Sequence, residues 1–255
     1  MDLSGKVALI TGGGVRVGAV ISLALAKNGA DIVLSYWGTE EETKKTQRKI
    51  EAMGRQCMIY EANMRDINAL QEMIRAVEKR FGRLDILVHN ASNFNDYPYD
   101  EITEEIWDSS QEIICKGAFF LSQAAVPLMK KHRFGRMIAM IGDSYYCTWP
   151  TFIAHSVAKV ALVKVMEGLA IALSPEIQCT AICPADILSS NGGRHIQSSR
   201  GEQLKGENSD YIEISGQTLK RGNPEDVAEL VVYLSGCGSY MNGAVIPLDG
   251  GKHLL

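Results

Sequence analysis

Short apolar runs alternate with longer amphipathic runs along the whole chain. The first apolar run, Lys6–Thr11, ends in three glycines, and a continuous apolar run closed by glycine is typical of a buried strand. Six further runs of this kind are Asp31–Tyr36, Gln56–Glu61, Leu84–His89, Arg136–Ile141, Ile177–Cys183 and Gly243–Leu248. The pattern therefore predicts a set of short strands that are buried on both faces.

The segments between these strands have helical spacing. Apolar residues recur every three or four positions along Ile67–Phe81, as on the buried face of an amphipathic helix. The other predicted helices are Val17–Asn28, Thr39–Met53, about 103–131, Ser156–Leu173 and Pro224–Leu234. Alternating strands and helices with no linker between them predict an α/β fold: a single-domain, Rossmann-type doubly wound sheet of about seven parallel strands, with helices on both faces.

The composition changes the predicted fold little, but it argues against several classes of protein. The 255 residues are 46% hydrophobic and 22% charged, which is ordinary for a globular protein, and a net charge of −4 argues against nucleic-acid binding. Six scattered cysteines and an N-terminus without a signal-peptide pattern predict reduced thiols in a cytoplasmic protein. No uninterrupted apolar stretch reaches the roughly 18 residues of a membrane helix. The histidines have no metal-ligand spacing, so we expect no metal.

Candidate chemistry begins in the turn after the first strand. Residues 11–18 read Thr-Gly-Gly-Gly-Val-Arg-Val-Gly and lie between the first predicted strand and the first predicted helix. Glycines let the backbone approach a phosphate, and a helix N-terminus supplies N–H groups and a positive dipole end. The turn is therefore a candidate dinucleotide-binding loop, with a purely structural glycine turn as the alternative.

These residues resemble the short-chain dehydrogenase/reductase family across nearly the whole chain. The motifs that carry the resemblance are the turn at 11–18, Leu-Asp-Ile-Leu-Val-His-Asn-Ala at 84–91, Lys159, Cys-Pro-Ala at 183–185 and Asp-Gly-Gly at 249–251. They occur in the family's order and at its spacing. The resemblance implies a seven-stranded Rossmann-type sheet, binding of NAD(P)(H) and, in most members, a tetramer.

The resemblance also implies a cofactor site. The residues that it places there are Gly12, Gly14, Arg16, Val17, Gly18, Ser35, Tyr36, Trp37, Thr39, Asn63, Met64, Asn90, Ala91, Ser92, Lys159, Pro184, Ala185 and Ile187. An NAD site usually has an acidic residue at the end of the second strand, whereas this chain has no carboxylate there before Glu40. Arg16 could pair with a 2′-phosphate, so NADP(H) is the expected cofactor and NAD(H) the alternative. Arg16 could also be an ordinary surface residue.

Two features resemble the pteridine reductase branch of that family. This branch has arginine at the position of Arg16, and Asn-Asn-Ala-Ser-Ser-Phe where this chain has His-Asn-Ala-Ser-Asn-Phe at 89–94. Its phenylalanine stacks on a flat ring held against the nicotinamide, which implies a substrate contact for Phe94; a core phenylalanine is the alternative. A neighbouring aromatic group is expected to line the substrate pocket or to pack between subunits: Tyr145, Tyr146 and Trp149.

The catalytic positions depart from the family, whose usual tetrad is Asn, Ser, Tyr and Lys. Lys159 matches, but His155 stands four residues earlier where tyrosine is usual, and Ile114 replaces the asparagine. Asp143 replaces the serine, as it does in the pteridine reductases, and could relay a proton. A histidine with an ordinary pKa of about 6.5 can donate or accept a proton. Asp143 would raise that pKa and Lys159 would lower it, and the sequence leaves the outcome open.

These residues favour an NADP(H)-dependent oxidoreductase that transfers hydride between the nicotinamide and a C=N or C=O group of a small, ring-containing substrate. We expect the polar segment 186–220 to form a mobile substrate lid. Two alternatives stay open: an NADP-binding protein without turnover, because the usual tyrosine and asparagine are lost, and a lyase, dehalogenase or cyclase on the same scaffold. The expected partners are a small molecule and the other subunits of a homotetramer, with no nucleic acid and no membrane. Tyr146 or Tyr97 could replace the lost acid.

Overall fold

The predicted strands form the central layer of the molecule. The computed structural model describes residues 1–185, 187, 203–204, 210–237 and 240–255. Its strands are β1 Val7–Thr11, β2 Asp31–Tyr36, β3 Cys57–Glu61, β4 Ile86–His89, β5 Gly135–Met140, β6 Ile177–Pro184, β7 Gln203–Leu204, β8 Tyr211–Ile214, β9 Gln217–Lys220 and β10 Val245–Leu248. Seven of them form one sheet in the order β10-β6-β5-β4-β1-β2-β3, and every neighbouring pair in it is parallel.

Helices cover both faces of this sheet. They are α1 Arg16–Lys27, α2 Glu40–Ala52, α3 Ile67–Phe81, α4 Glu104–Ser110, α5 Gly117–Lys130, α6 Ile153–Ala172 and α7 Pro224–Gly236. Buried residues of α3, α5 and α6 form one core with the sheet, and those of α1, α2 and α7 form the other. The central strands are mostly apolar and buried because both faces of the sheet are covered, which confirms the predicted fold class.

The helix expected over about 103–131 is interrupted. Thr103 caps α4 by accepting a hydrogen bond from the Ile106 N–H at 3.3 Å, but a π-helical turn, Gln111–Lys116, then separates α4 from α5. The wider turn admits an extra residue, and Ile114 within it is buried. By length and composition alone the run 104–130 could cross a membrane. Its buried side chains pack into the core with α3 and α6, as those of a core helix do.

The predicted lid is partly regular. β7, β8 and β9 form a small antiparallel sheet, where the sequence indicated no periodic pattern. Ser215 and Gly216 join β8 to β9 with positive φ angles of 50° and 75°, as a two-residue hairpin turn of type I′ requires. The other residues of the predicted lid, 186, 188–202 and 205–209, lie outside the described residues.

Candidate functional site

The turn between β1 and α1 has room only for glycine at several positions. Gly12 has a φ of +62°, and a Cβ added to Gly18 would lie 2.2 Å from the Gly12 carbonyl oxygen. A Cβ on Gly14 would lie 2.1 Å from Oγ1 of Thr43 on α2. The glycines therefore let the turn pack tightly against its own backbone and against α2.

The last residue of β1 and the residue that follows β4 hold the turn in place through their side chains. The Asn90 Nδ2 group donates to the carbonyl oxygens of Thr11 at 2.9 Å and Gly12 at 3.2 Å. In return, the Thr11 hydroxyl oxygen accepts from the backbone N–H groups of Asn90 and Ala91, both at 2.9 Å. Asn90, predicted to bind the cofactor, thus shapes the loop that would hold it. We call residues 11–18 together with Asn90 the nucleotide turn.

The N-terminus of α1 fits an anion. In the part of the chain that the structure describes, its first turn holds neither a capping side chain nor an acidic residue. Its backbone N–H groups and positive dipole end are therefore free of an internal counter-charge. Together with the tight glycine backbone, this is the arrangement that a dinucleotide pyrophosphate needs.

The edge predicted to hold the adenosine ribose contains a carboxylate that the sequence pattern concealed. Glu61 ends β3 and pairs in register with Tyr36, and its Oε1 lies 3.5 Å from the backbone N–H of Gly38. Arg16 is exposed at the start of α1, and the Trp37 side chain is 63% exposed just beyond β2. One cation and one carboxylate therefore belong to this edge: β2 itself ends without an acidic residue, as expected, and the carboxylate comes from the neighbouring strand β3.

The neighbouring residues that are predicted to bind the cofactor are less exposed than Arg16 and Trp37. Ser35 and Met64 are buried, and the Asn63 Oδ1 atom accepts from the Arg65 backbone N–H at 3.0 Å. Thr39 precedes α2 without a side-chain cap, whereas its carbonyl oxygen accepts from the Thr43 hydroxyl at 2.7 Å. These residues shape the backbone beside the adenosine edge.

At the other end of the site, α6 carries His155 and Lys159 one turn apart, and both are buried. His155 Nδ1 lies 2.9 Å from the Asn93 carbonyl oxygen. Because a carbonyl only accepts, Nδ1 carries the ring proton and Nε2 is a bare acceptor. Burial, followed by the charge of Lys159, lowers the pKa of His155 to about 4. The ring is therefore neutral at neutral pH, which settles the balance that the sequence left open.

Lys159 is anchored from the sheet. Its ammonium donates to the Met140 carbonyl oxygen at 2.6 Å, at the end of β5. Burial lowers its pKa to about 8, so most of the population remains charged at neutral pH. Lys159 thus places one cation beneath the site.

Asp143 is engaged by a residue that sequence reasoning missed. Lys252, almost fully buried near the C-terminus, contacts Asp143 Oδ2 through its Nζ at 3.0 Å. The Trp149 indole N–H donates to the other oxygen at 3.0 Å, and Lys252 Nζ lies 5.2 Å from the centre of the Trp149 ring. Two donors on two oxygens suit a carboxylate. We call the three residues at the predicted catalytic positions, Asp143, His155 and Lys159, together with Lys252 the proton-transfer cluster, after the role that the sequence analysis expects there.

Phe94 lies beside this cluster. Its ring stacks on Phe152 with centroids 4.4 Å apart, meets the His155 ring edge-on at 5.0 Å, and remains 48% exposed. The alternative of a core phenylalanine is therefore not supported, and Phe94 has surface available for a ligand. Trp149 meets Phe152 edge-on at 6.0 Å.

Tyr145 and Tyr146 follow Asp143 and meet edge-on at 4.9 Å. The Tyr146 ring also lies 5.0 Å from the ring of His253, whose Nδ1 lies 2.8 Å from Asp249 Oδ2. Burial raises the pKa of Tyr146, and nearby anionic groups add to this effect. Tyr146 is therefore a weaker acid than an exposed tyrosine.

The remaining predicted cofactor residues lie at the end of β6 and of β4. Pro184 ends β6, and the Ala185 N–H donates to the Leu248 carbonyl oxygen at 3.2 Å. Ile187 forms an isolated bridge with Gly222. Ser92 is exposed beyond β4. Because carboxyl ends of parallel strands share one edge of a sheet, the fold brings these segments together with the nucleotide turn and the proton-transfer cluster.

The described residues contain no group of three or more His, Cys, Asp or Glu side chains that could hold a metal ion.

The sequence analysis missed two further residues near the site, Glu61 and the buried His89. Each stands directly at the end of a predicted strand, which was the available signal.

The chain is similar to known proteins over nearly all of its length. A family model described as enoyl-(acyl carrier protein) reductase matches residues 14–253. A hydroxynaphthalene reductase from Aspergillus fumigatus is 30% identical, covering 98% of this chain and 96% of its own, and an L-rhamnose 1-dehydrogenase (NAD(P)+) from Sphingomonas sp. is 24% identical, covering 99% and 98%. The crystal structure of a short-chain dehydrogenase from Burkholderia cenocepacia in complex with NADP is 28% identical, covers 98% of both chains and has a TM-score of 0.84. The chain therefore belongs to the short-chain dehydrogenase/reductase family of oxidoreductases.

Proposed function

We propose that this protein is an NADP(H)-dependent reductase or dehydrogenase that acts on a C=N or C=O group, or on the corresponding amine or alcohol, in a small ring-containing substrate. The observation that carries the proposal is the half-exposed Phe94 ring set against His155, one helical turn from Lys159. A bound nicotinamide supplies or accepts the hydride. The chain itself binds, orients the substrate and manages one proton.

His155 would manage that proton through Nε2. With Nδ1–H committed to Asn93, the neutral ring can accept a proton from an alcohol or amine, or a hydrogen bond from a ring N–H. In the reductive direction the imidazolium is the donor. Its fraction increases as the pH falls toward about 4, so reduction should accelerate in mild acid. Phe94 would hold the flat ring by offset stacking, worth about 0.5–1.5 kcal/mol beyond burial.

The resemblance to pteridine reductases supports a flat heterocyclic substrate. The test is cofactor oxidation with a panel of pterins, cyclic imines, quinones and cyclic ketones, each measured from neutral pH down to mild acid. Turnover of one planar class that weakens in Phe94→Ala supports the proposal. Tight cofactor binding with silence across the whole panel would favour the non-catalytic NADP-binding alternative.

Preference for NADP(H) rests on Arg16 and is opposed by Glu61. The test is cofactor titration by fluorescence with NADPH and NADH. Arg16→Ala should weaken NADPH binding and leave NADH binding nearly unchanged, whereas Glu61→Gln should improve NADPH binding. Equal losses for both cofactors in Arg16→Ala would contradict a 2′-phosphate contact and favour NAD(H).

Further expectations concern assembly and location. The outer face of α6 carries the exposed apolar residues Ile153, Val157, Val160 and Ile171, which supports a subunit interface of a homotetramer. Light scattering after gel filtration tests the tetramer.

All six cysteines are free thiols, which supports a reducing, cytoplasmic setting.

We expect one domain spanning 1–255 on which segment 186–220 acts as a substrate lid. Limited proteolysis with and without NADPH tests this expectation.

A further inference from the structure

His89 is a buried ionisable residue that the proposed chemistry does not use. It ends β4, pairs in register with Ala139 of β5, and is 3% exposed. Its Nε2 lies 2.8 Å from the Ser122 hydroxyl oxygen, and that hydroxyl donates its proton to the Ala118 carbonyl oxygen at 2.8 Å. A hydroxyl has one proton, so Ser122 accepts from His89 and the ring proton lies on Nε2. Nδ1 is therefore a bare acceptor.

His89 Nδ1 is buried and has no hydrogen-bond partner among the residues that the structure describes. A buried polar atom without a partner costs about 1–3 kcal/mol, so its retention calls for an explanation. Burial lowers the pKa of His89 to about 4, and the charge of Lys159 contributes, which places the lysine within electrostatic reach.

Lys159 has the complementary excess of donors. An ammonium has three N–H groups, and the one hydrogen bond that Lys159 makes within the described residues goes to Met140. Met140 follows Ala139, the strand partner of His89, so the lysine head and the imidazole occupy neighbouring positions at the ends of β4 and β5. Ile114 in the π-helical turn, which replaces the family's asparagine, has no polar side-chain atom that could bond to the Lys159 ammonium.

We propose that His89 is a positioning residue for Lys159: its bare Nδ1 accepts a hydrogen bond from one water molecule that in turn accepts from the lysine ammonium. The three donors of Lys159 then divide among Met140, this water molecule and the cofactor ribose. The last of these contacts rests on the proposed function, whereas the coupling between His89 and Lys159 does not. His89 must be neutral for this role, since an imidazolium has no acceptor and would repel the lysine.

The first test is nitrogen NMR of the full-length protein with isotopically labelled histidine and lysine, without cofactor. The native spectrum should show His89 as the Nε2–H tautomer with an Nδ1 resonance moved upfield by hydrogen bonding. The Lys159 side-chain resonance should shift in His89→Phe and return toward its native position in His89→Asn, which restores an acceptor. His132→Phe, at an exposed histidine, is the matched control and should leave Lys159 unchanged.

A His89 Nδ1 resonance typical of a free nitrogen, or a Lys159 resonance identical in native protein and His89→Phe, would overturn the inference. If His89→Phe does not fold, the His89 Nδ1 resonance of the native protein alone shows whether this nitrogen accepts a hydrogen bond. Cofactor titration supplies the second readout: His89→Phe should weaken binding by about tenfold, with recovery in His89→Asn. Coupling without any NADPH or NADH binding would refute the proposed function and leave the positioning role intact. Catalytic turnover in a protein whose Lys159 resonance does not respond to His89→Phe would refute the positioning role and leave the proposed function intact.

Discussion

The nucleotide turn and the proton-transfer cluster occupy the same edge of the sheet but are built differently. The nucleotide turn relies on backbone: glycines at close approach and hydrogen bonds among Thr11, Gly12 and Asn90. The proton-transfer cluster relies on ionisable side chains that are buried or largely buried, and some of them pair over long sequence separations, such as Asp143 with Lys252.

This difference determines which substitutions and which changes of pH the nucleotide turn and the proton-transfer cluster each tolerate. A tight backbone turn is sensitive to added volume and indifferent to pH, because it contains no group that titrates near neutrality. A buried ionisable cluster is sensitive to the loss of any one charge and to pH. Apart from substitutions that act on Lys159, which belongs to both regions, substitutions should therefore affect cofactor binding and proton transfer separately.

The largest expected effect is on proton transfer. His155→Phe keeps a buried aromatic ring but removes both nitrogens, so kcat should fall by about 10²–10⁴-fold while the cofactor Kd stays nearly constant. Steady-state kinetics and fluorescence titration measure the two quantities. His132→Phe is the exposed control. Undiminished kcat in His155→Phe would transfer the proton role to Tyr146 or Tyr97.

The next effect is on stability. Lys252→Met retains length but leaves Asp143 without its buried cation, so the free energy of unfolding should fall by about 3–5 kcal/mol in urea titration. Adding Asp143→Asn to this variant should restore part of the loss. The matched control is Lys164→Met, which breaks an exposed pair with Glu167 and should cost less than about 1 kcal/mol. Equal losses at the two lysines would show that the Asp143–Lys252 pair contributes no special stability.

Acid should weaken the fold through its two buried histidines. The pKa values of His89 and His155 are each about 4 in the folded protein, against about 6.5 when unfolded. Between these values the unfolded chain binds more protons, so the free energy of unfolding falls as the pH drops from about 6.5 to about 4. Each histidine contributes about 3 kcal/mol to that loss. Denaturant titrations at several pH values should give a shallower dependence in His155→Phe; an unchanged dependence would mean that His155 is not buried as a neutral ring.

The smallest effect tests the nucleotide turn. Gly18→Ala adds a Cβ that would lie 2.2 Å from the Gly12 carbonyl oxygen, so we expect about 1–3 kcal/mol of destabilisation and weaker cofactor binding at every pH. Gly168→Ala on α6 meets nothing within 4 Å and should stabilise by about 0.5–1 kcal/mol. Native-like cofactor affinity in Gly18→Ala would separate the tight turn from nucleotide binding.

The sheet and most helices could be predicted because each is a local pattern. The long helix was wrong at Gln111–Lys116, since a π-helical turn has no distinct hydrophobic period. The hairpin of β8 and β9 was missed although Ser215-Gly216 is a suitable turn pair, because each strand has only four residues and an alternation over so few positions is a weak signal.

The amino-acid sequence by itself determined the strand–helix alternation, the nucleotide turn and the replacement of the usual tyrosine by His155, because each depends on residues close together in the chain. Only the tertiary structure decided the charge state of that histidine. Burial and Lys159 make it neutral, while Asp143 is held by Lys252, 109 residues away. Electrostatic free energies depend on distance and solvent exposure in the folded molecule, and the order of residues specifies neither directly.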